Sequence, residues 1–185
     1  MTTEAKFKYA LKDMMMSMPL EDINVTALCQ KCGCHRQTFY YHFQDIYDLL
    51  AAYFLNEQVS GLQNAEELDK ALEALLDYSK KNFAFLQSSY NSAAHDLVDD
   101  FFYNKLVNKV FTIITAKDNY RLTANGYRLV ARRFSRLVSD EFGYYFKDAS
   151  LTLARFDKGM KKFIKASLLT VFPALISLSK EEKKR

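Results

Sequence analysis

The residues with the most chemistry to offer are crowded into one short stretch, GCHRQTFYYHF, spanning residues 33–43. It carries Arg36, Gln37, Thr38, Tyr40, Tyr41 and His42 and contains no acidic residue. Arginine and glutamine side chains make paired hydrogen bonds to guanine and adenine edges in a major groove. Threonine, tyrosine and histidine donate to phosphate oxygens, and a carboxylate among them would repel a polyanion. At the start of the stretch and just before it lie Cys34, Cys32 and Cys29, which raise three possibilities: a metal knuckle, a redox pair, or small apolar packing. The spacing lacks a second downstream ligand pair, so a closed zinc site is disfavoured. Packing is the preferred reading and redox sensing the next. No metal and no cofactor is expected.

If residues 36–43 form a helix turning about 100° per residue, Phe39 and Phe43 lie within about 40° of one another. Gln37 and Tyr41 then fall about 160° and 200° from Phe39, on the opposite face. The two phenylalanines mark the buried side, and the polar and tyrosyl side chains face out. Tyr40 and Tyr41 taken alone would read as half-buried packing residues; with the glycine turn and Thr38 beside them, contact with DNA is preferred. Lys31, at the end of the preceding segment, completes the expected DNA-facing set.

The elements that must hold this face are legible around it. Apolar residues at Phe7, Ala10, Leu11, Met14, Met15 and Met18 follow helical spacing, and Pro19 stops the run. Asn24 is placed to cap a short helix over 25–32, with Gly33 as its left-handed C-terminal residue. A third helix follows His35, and Asp45 is placed to cap a fourth, with Asp48 in its first turn. Two short helices joined at a glycine turn are the helix-turn-helix arrangement.

Beyond Asn56 the spacing predicts helices over about 66–86, 96–115, 120–146 and 149–178. With five glycines and two prolines in 185 residues, and no long alternating β-branched run, the chain is expected to be all-α. Apolar residues make up 49%, enough for a real core. The last helix has a wider apolar surface than one core stripe needs, which suits burial against its own core and against a partner. Aromatic and polar residues in this half offer a small-molecule site, with Tyr78, Asn82, Tyr90, His95, Tyr127 and Arg128 as candidate effector contacts. Each aromatic taken alone reads first as bundle core. Arg132, Arg133 and Arg136 read as a solvated or ion-paired face, Asp99 and Asp100 as helix surface, and the tail Lys180 to Arg185 as a solvated end.

Charge refines this picture. The net charge is +4, yet residues 1–50 hold five basic residues (Lys6, Lys8, Lys12, Lys31, Arg36) against six acids. Any contact with DNA must rest on where the charges sit. Three cysteines within six positions suit a reducing compartment. The N-terminus has no apolar stretch of signal-peptide type, and the run from Ala166 to Leu178 is too short to span a bilayer. A cytoplasmic protein without a membrane partner is expected. No Gly-rich phosphate loop or H-E-x-x-H occurs, and the three histidines lack a convincing nucleophile, so no catalytic residue is assigned.

The span from Phe7 to Leu50 resembles the DNA-binding domain of the TetR family of bacterial transcriptional regulators. The resemblance is carried by Gly33, Thr38, Phe39, Tyr40, Phe43 and Asp48-Leu49-Leu50, without gaps, over about a quarter of the chain. The wording RQTFYYHFQDIYDLL is similar to the branch that contains regulators of dihydroxyacetone-kinase operons. The resemblance implies an N-terminal three-helix DNA reader (residues 1–50) and a C-terminal helical domain (residues 51–185). It further implies a homodimer joined through the last two long helices, a near-palindromic duplex operator, and a small effector in the C-terminal domain. In that alignment Cys29, Cys32 and Cys34 fall on small or apolar buried positions. Three departures stand out: His35 replaces the usual serine cap, Ile46 stands where a phosphate-contacting lysine is common, and residues 1–50 are net negative. These favour weak non-specific DNA affinity, or an alternative in which a protein co-regulator, not a small molecule, controls a coactivator of the same fold.

Overall fold

The computed structural model describes residues 1–116 and 120–181. Among them every regular element is helical, and the chain resolves into two compact units. One contains residues 1–58 and 82–98, the other 59–81 and 99–185.

In the first unit, α1 (Thr3–Met15) starts where the Thr2 hydroxyl accepts from the Ala5 N–H at 3.3 Å. It buries Phe7, Ala10, Leu11, Met14 and Met15. Pro19 disfavours helical dihedrals in the residue before it, and a single 3-10 turn, Leu20–Asp22, leads onward with Leu20 buried. The Asn24 side chain accepts from the Ala27 N–H at 2.9 Å and opens α2 (Val25–Cys32). Gly33 closes it at φ 63°, ψ 36°, a left-handed conformation that costs a side-chain-bearing residue energy. There α3 (Arg36–His42) begins, without a side-chain cap from His35. The Asp45 carboxylate accepts from the Asp48 N–H at 2.8 Å, and Asp48 in turn accepts from the Gln44 N–H at 3.0 Å. This reciprocal cap starts α4 (Ile46–Asn56).

The core of this unit is largely aromatic. Phe7 meets Phe39 edge-on at 5.3 Å and Phe43 at 6.2 Å between ring centroids. Tyr53 and Phe54 of α4 pack on Phe85 of α6 (Phe83–Tyr90) at 4.9 and 5.6 Å. Edge-to-face and offset-stacked pairs of this kind add to the area they bury.

The helix expected over 66–86 is two helices. The break falls at Asn82, whose backbone leaves the helical region at φ −113°; its side chain accepts a 2.5 Å hydrogen bond from the Lys12 ammonium of α1. A long-range partner thus holds the residue out of a helix that local pattern would have continued. The segment before the break, α5 (Leu68–Lys81), belongs to the second unit.

There α5 joins the greater part of α7 (His95–Ala116), α8 (Ala124–Phe146), α9 (Leu153–Ala166) and α10 (Phe172–Glu181). Phe102, Phe142, Phe146 and Phe156 form the centre; the first two stack at 4.3 Å with rings 4° from parallel. Both long C-terminal segments start later than periodicity indicates, at side-chain caps. Thr123 accepts from the Gly126 N–H at 3.0 Å, and Thr152 from the Arg155 N–H at 3.4 Å. A π-helical turn, Ser167–Val171, joins α9 to α10 without ending the helix. The Ala166–Leu178 stretch therefore lies within a 28-residue helix, Leu153–Lys180, long and apolar enough to cross a membrane. Phe156, Met160, Ile164, Phe172 and Ile176 bury one face of it, while Leu153, Leu169 and Leu178 stay exposed. Of the expected solvated tail, residues 182–185 lie outside the described residues.

Candidate nucleic-acid interface

The exposed face of α3 is built on Phe39, which is fully buried, and Phe43, 5.7 Å away and also buried. With this side held, the opposite side must face outward. Tyr41 is 84% exposed and Tyr40 52% exposed; Arg36 and Gln37 are exposed, and Thr38 is half-buried. The Tyr40 ring stands edge-on to Phe39 at 5.4 Å, which fixes its root, and its hydroxyl accepts from the Arg36 guanidinium at 3.5 Å. Arg36 donates to the Thr26 hydroxyl of α2 at 3.3 Å and lies 5.9 Å from the Tyr40 ring centroid. A flexible cation is thereby held across the turn that Gly33 makes.

Arg36, Gln37, Thr38, Tyr40 and Tyr41 thus share one accessible surface. Two further residues expected there are engaged with α1. Lys31 lies 2.5 Å from the Asp13 carboxylate, with both groups substantially exposed. Such a surface pair contributes about 0–1 kcal/mol and exchanges readily for another anion. His42 is half-buried, its Nδ1 3.4 Å from a Glu4 carboxylate oxygen. The acids that occupy these groups sit on another helix, and no local spacing in the sequence marks them.

Lys12 is also drawn into the unit. The Lys12 ammonium donates to the Tyr53 hydroxyl at 2.9 Å and to Asn82, and stands 5.5 Å from the ring centroids of both Tyr53 and Phe85. Burial lowers its pKa, partly opposed by the charge of Glu57. Lys12 therefore ties α1 to α4 and α6 and is not part of the outward surface. Ile46 is buried at the start of α4 and its neighbour Tyr47 is 40% exposed, so an aromatic hydroxyl is what that turn presents.

The three cysteines are not equivalent. Cys29 is buried as expected, but Cys32 and Cys34 are half-exposed and free. The reason is position: Cys32 ends α2 and Cys34 lies in the turn, where the chain leaves the core. The Cys32 thiol contacts the Lys6 carbonyl at 3.6 Å, and the Cys34 thiol contacts the Cys32 carbonyl at the same distance. Burial, with smaller contributions from the neighbouring thiols, pushes the Cys32 pKa up to about 11. Among the described residues no group of three or more His, Cys, Asp or Glu side chains is placed to hold a metal ion.

The candidate effector contacts divide between the units. Asn82, Tyr90 and His95 belong to the first; Tyr78, Tyr127 and Arg128 belong to the second. Tyr90 and His95 approach at 6.2 Å between ring centroids, and the His95 imidazole pairs with Asp96 at 3.1 Å. Asn82 starts α6 and binds Lys12. Tyr78 and Tyr127 are buried in the second unit, and Arg128 is exposed on α8. Two surface clefts of that unit, of about 670 and 450 Å³, are lined by none of the six. Arg132, Arg133 and Arg136 form an exposed face of α8, with Arg136 over the Tyr103 ring at 4.3 Å.

Neither a protein-family model nor a curated protein matches this sequence. Solved structures do. The chain is similar to the dihydroxyacetone kinase operon activator DhaS, with 22% identity, a TM-score of 0.67, and 89% of this chain and 95% of that one covered. It is also similar to the TetR family repressor AlkX from Dietzia sp. strain DQ12-45-1b, implicated in biodegradation of n-alkanes. There the identity is 14% and the TM-score 0.58, with 94% of this chain and 98% of the other covered. The all-α fold of TetR-type regulators therefore extends over nearly the whole chain, well beyond the quarter that carries the sequence resemblance.

Proposed function

We propose that this chain is a sequence-specific DNA-binding transcriptional regulator of the TetR type, acting as a cytoplasmic homodimer on a near-palindromic operator. One observation carries the reading. The side chains of α3 that suit base and phosphate contact, Gln37, Tyr40, Tyr41 and Arg36, are the ones turned outward above a buried phenylalanine anchor. In this reading residues 1–50 are the reader and residues 51–185 carry dimerisation and effector control, with no enzymatic step. Two copies of α3 would enter successive major grooves about 34–36 Å apart. The exposed Leu169 and Leu178 of the last helix, 67% and 52% accessible, suit the seam between protomers. A ligand bound in the C-terminal half would shift DNA affinity by its differential affinity for the two arrangements, typically about 1–3 kcal/mol.

Selection of bound sequences from random duplex DNA by the purified protein tests this. A near-palindrome is expected, with log affinity falling as log salt rises. Gln37→Ala and Tyr41→Ala should weaken operator binding by about 1–3 kcal/mol each while leaving thermal stability unchanged. Unaltered binding in both variants would remove the α3 face from the interface.

A second reading, a coactivator of the same fold governed by a protein partner, is favoured by the charge arrangement. Lys31, His42 and Lys12 all have partners within the first unit, and residues 1–50 hold more acids than bases. Operator binding by the purified protein alone would count against an obligate partner.

A further inference from the structure

The larger of the two clefts in the second unit has a charge pattern that the regulator reading leaves unused. It lies where α8 ends and α9 begins, and Tyr144, Tyr145, Lys147, Arg155, Lys158 and Lys162 line it around about 670 Å³. Arg155, Lys158 and Lys162 follow i, i+3, i+7 spacing along α9, so one helix face turns three cations toward the same space. Like charges at that spacing destabilise a helix unless something offsets them.

Among the described residues nothing offsets them fully. Asp148 is, among the described residues, the one acid lining the cleft; it lies 3.8 Å from Arg155 and also accepts from the Ser150 N–H and hydroxyl. Asp157, on the same helix, pairs instead with Lys161 and Lys80. Among the described residues, Lys147, Lys158 and Lys162 pair with no carboxylate. The smaller cleft shows what a neutralised seam looks like in the same unit. There Asp69, Glu73 and Asp77 face Lys80, Lys161 and Lys165, and Lys80 lies 2.9 Å from Asp77. The contrast is between balanced charge and a net excess of cations over one concave surface.

The floor of the larger cleft is shaped for a specific side chain. A Cβ added to Gly159 would lie 2.0 Å from the Tyr145 hydroxyl, so only glycine admits the tyrosine there. A mid-helix glycine weakens a helix, and at this position it lets Tyr145 lie across bare backbone. The Tyr145 ring stands edge-on to Phe156 at 5.8 Å, which anchors it. Its hydroxyl has no hydrogen-bond partner among the described residues. Burial, then the charge of Glu141, raises its pKa, so the phenol keeps its proton and remains a donor.

We infer that this cleft binds a small organic phosphate, its anionic group held by Arg155, Lys158, Lys162 and the Tyr145 hydroxyl. Tyr144, 72% exposed beside them, offers a ring face to the organic part. The volume falls within the range of small-molecule sites, about 300–1,000 Å³. A protein partner or a DNA backbone would instead need an extended surface of about 800 Å² per side. Charge-assisted hydrogen bonds from guanidinium, ammonium and phenol groups are the strong, short contacts that phosphate oxygens accept. This inference does not rest on the regulator reading.

Calorimetric titration of the full chain with ADP and with inorganic pyrophosphate tests it. Saturable binding below about 1 mM is expected for ADP. Lys158→Gln with Lys162→Gln should weaken it by at least about tenfold, and Tyr145→Phe by about threefold to tenfold. Lys161→Gln with Lys165→Gln, at the balanced cleft, should change it by less than about twofold. All four lysines are exposed, and unchanged circular dichroism checks that each variant folds. Four outcomes would overturn the inference: no saturable binding of either probe, equal losses in the two double variants, loss of duplex DNA or acidic-peptide binding in Lys158→Gln with Lys162→Gln while both probes bind as before, or binding only to vesicles containing phosphatidylglycerol.

Discussion

Residues 24–56 and residues 153–181 are both helical, yet they are governed differently. In the first stretch three helices fit into a short span, and two of their starts are fixed by side-chain hydrogen bonds within three residues: Asn24 to Ala27 and Asp45 to Asp48. Gly33 ends α2 by its own left-handed backbone. In the second stretch a single helix runs on for 28 residues, past a π-helical turn at Ser167–Val171. It has one cap, Thr152, with a longer hydrogen bond of 3.4 Å. The rest of its definition comes from the buried face, Phe156, Met160, Ile164, Phe172 and Ile176. Short helices gain little from their own backbone bonds, since nucleation is costly, so they depend on caps and turns. A long helix with a continuous packed face does not. Single substitutions at helix boundaries should therefore matter more in the first region than in the second.

The largest effect sets the upper bound for that comparison, because it removes packing and not a boundary. Phe39 is fully buried, with Phe7 edge-on at 5.3 Å. Phe39→Ala should cost about 3–5 kcal/mol in urea unfolding and abolish any DNA binding with it. Phe156→Ala, also fully buried, should cost a similar amount. A markedly smaller loss at Phe39 would mean that α3 is held by its turn and not by its anchor.

Next in size is Gly33→Ala. No atom lies within 4 Å of the added Cβ, so the cost is purely that of the backbone at φ +63°, about 1–2 kcal/mol. Loss of thermal stability without loss of helical circular dichroism is the expected result. Cap removal follows. Asn24→Ala should cost about 1 kcal/mol, and Thr152→Ala, with its longer hydrogen bond and a packed helix behind it, about half that. Equal costs would break the comparison.

These same differences explain what could be read from the chain alone. The boundaries of α2, α3 and α4 follow from Asn24, Gly33 and Asp45, whose side chains or backbone act on residues next to them. The outward set on α3 follows from the spacing of Phe39 and Phe43. The break at Asn82 was not legible, because the group that binds it is Lys12 on α1. Nor were the acids that engage Lys31 and His42, for they too lie on α1. The half-exposure of Cys32 and Cys34 depends on how α2 leaves the core, which residue type does not record. The cationic cleft was missed for another reason: Arg155, Lys158 and Lys162 look like any solvated face until Asp157 is seen to pair with Lys161 and Lys80.

The smallest expected effect is the sharpest test, since it predicts a gain. His35 occupies the N-cap position of α3 with extended backbone, φ −89° and ψ 154°, and makes no side-chain hydrogen bond to the first turn. The imidazole makes no such bond here, whereas a serine hydroxyl at an N-cap accepts from the first-turn N–H groups. Serine at this position has the required extended geometry already supplied by the chain, so His35→Ser needs no rearrangement to cap α3. A gain of a few tenths to about 1 kcal/mol should follow. His35 is exposed, so little packing is lost to obscure it. The gain should appear as a shift in the denaturation midpoint at constant slope. If α3 is instead stabilised wholly by Phe39 and Phe43 from below, the midpoint will not move, and the claim that short helices here depend on their caps fails at the one position where the cap is missing.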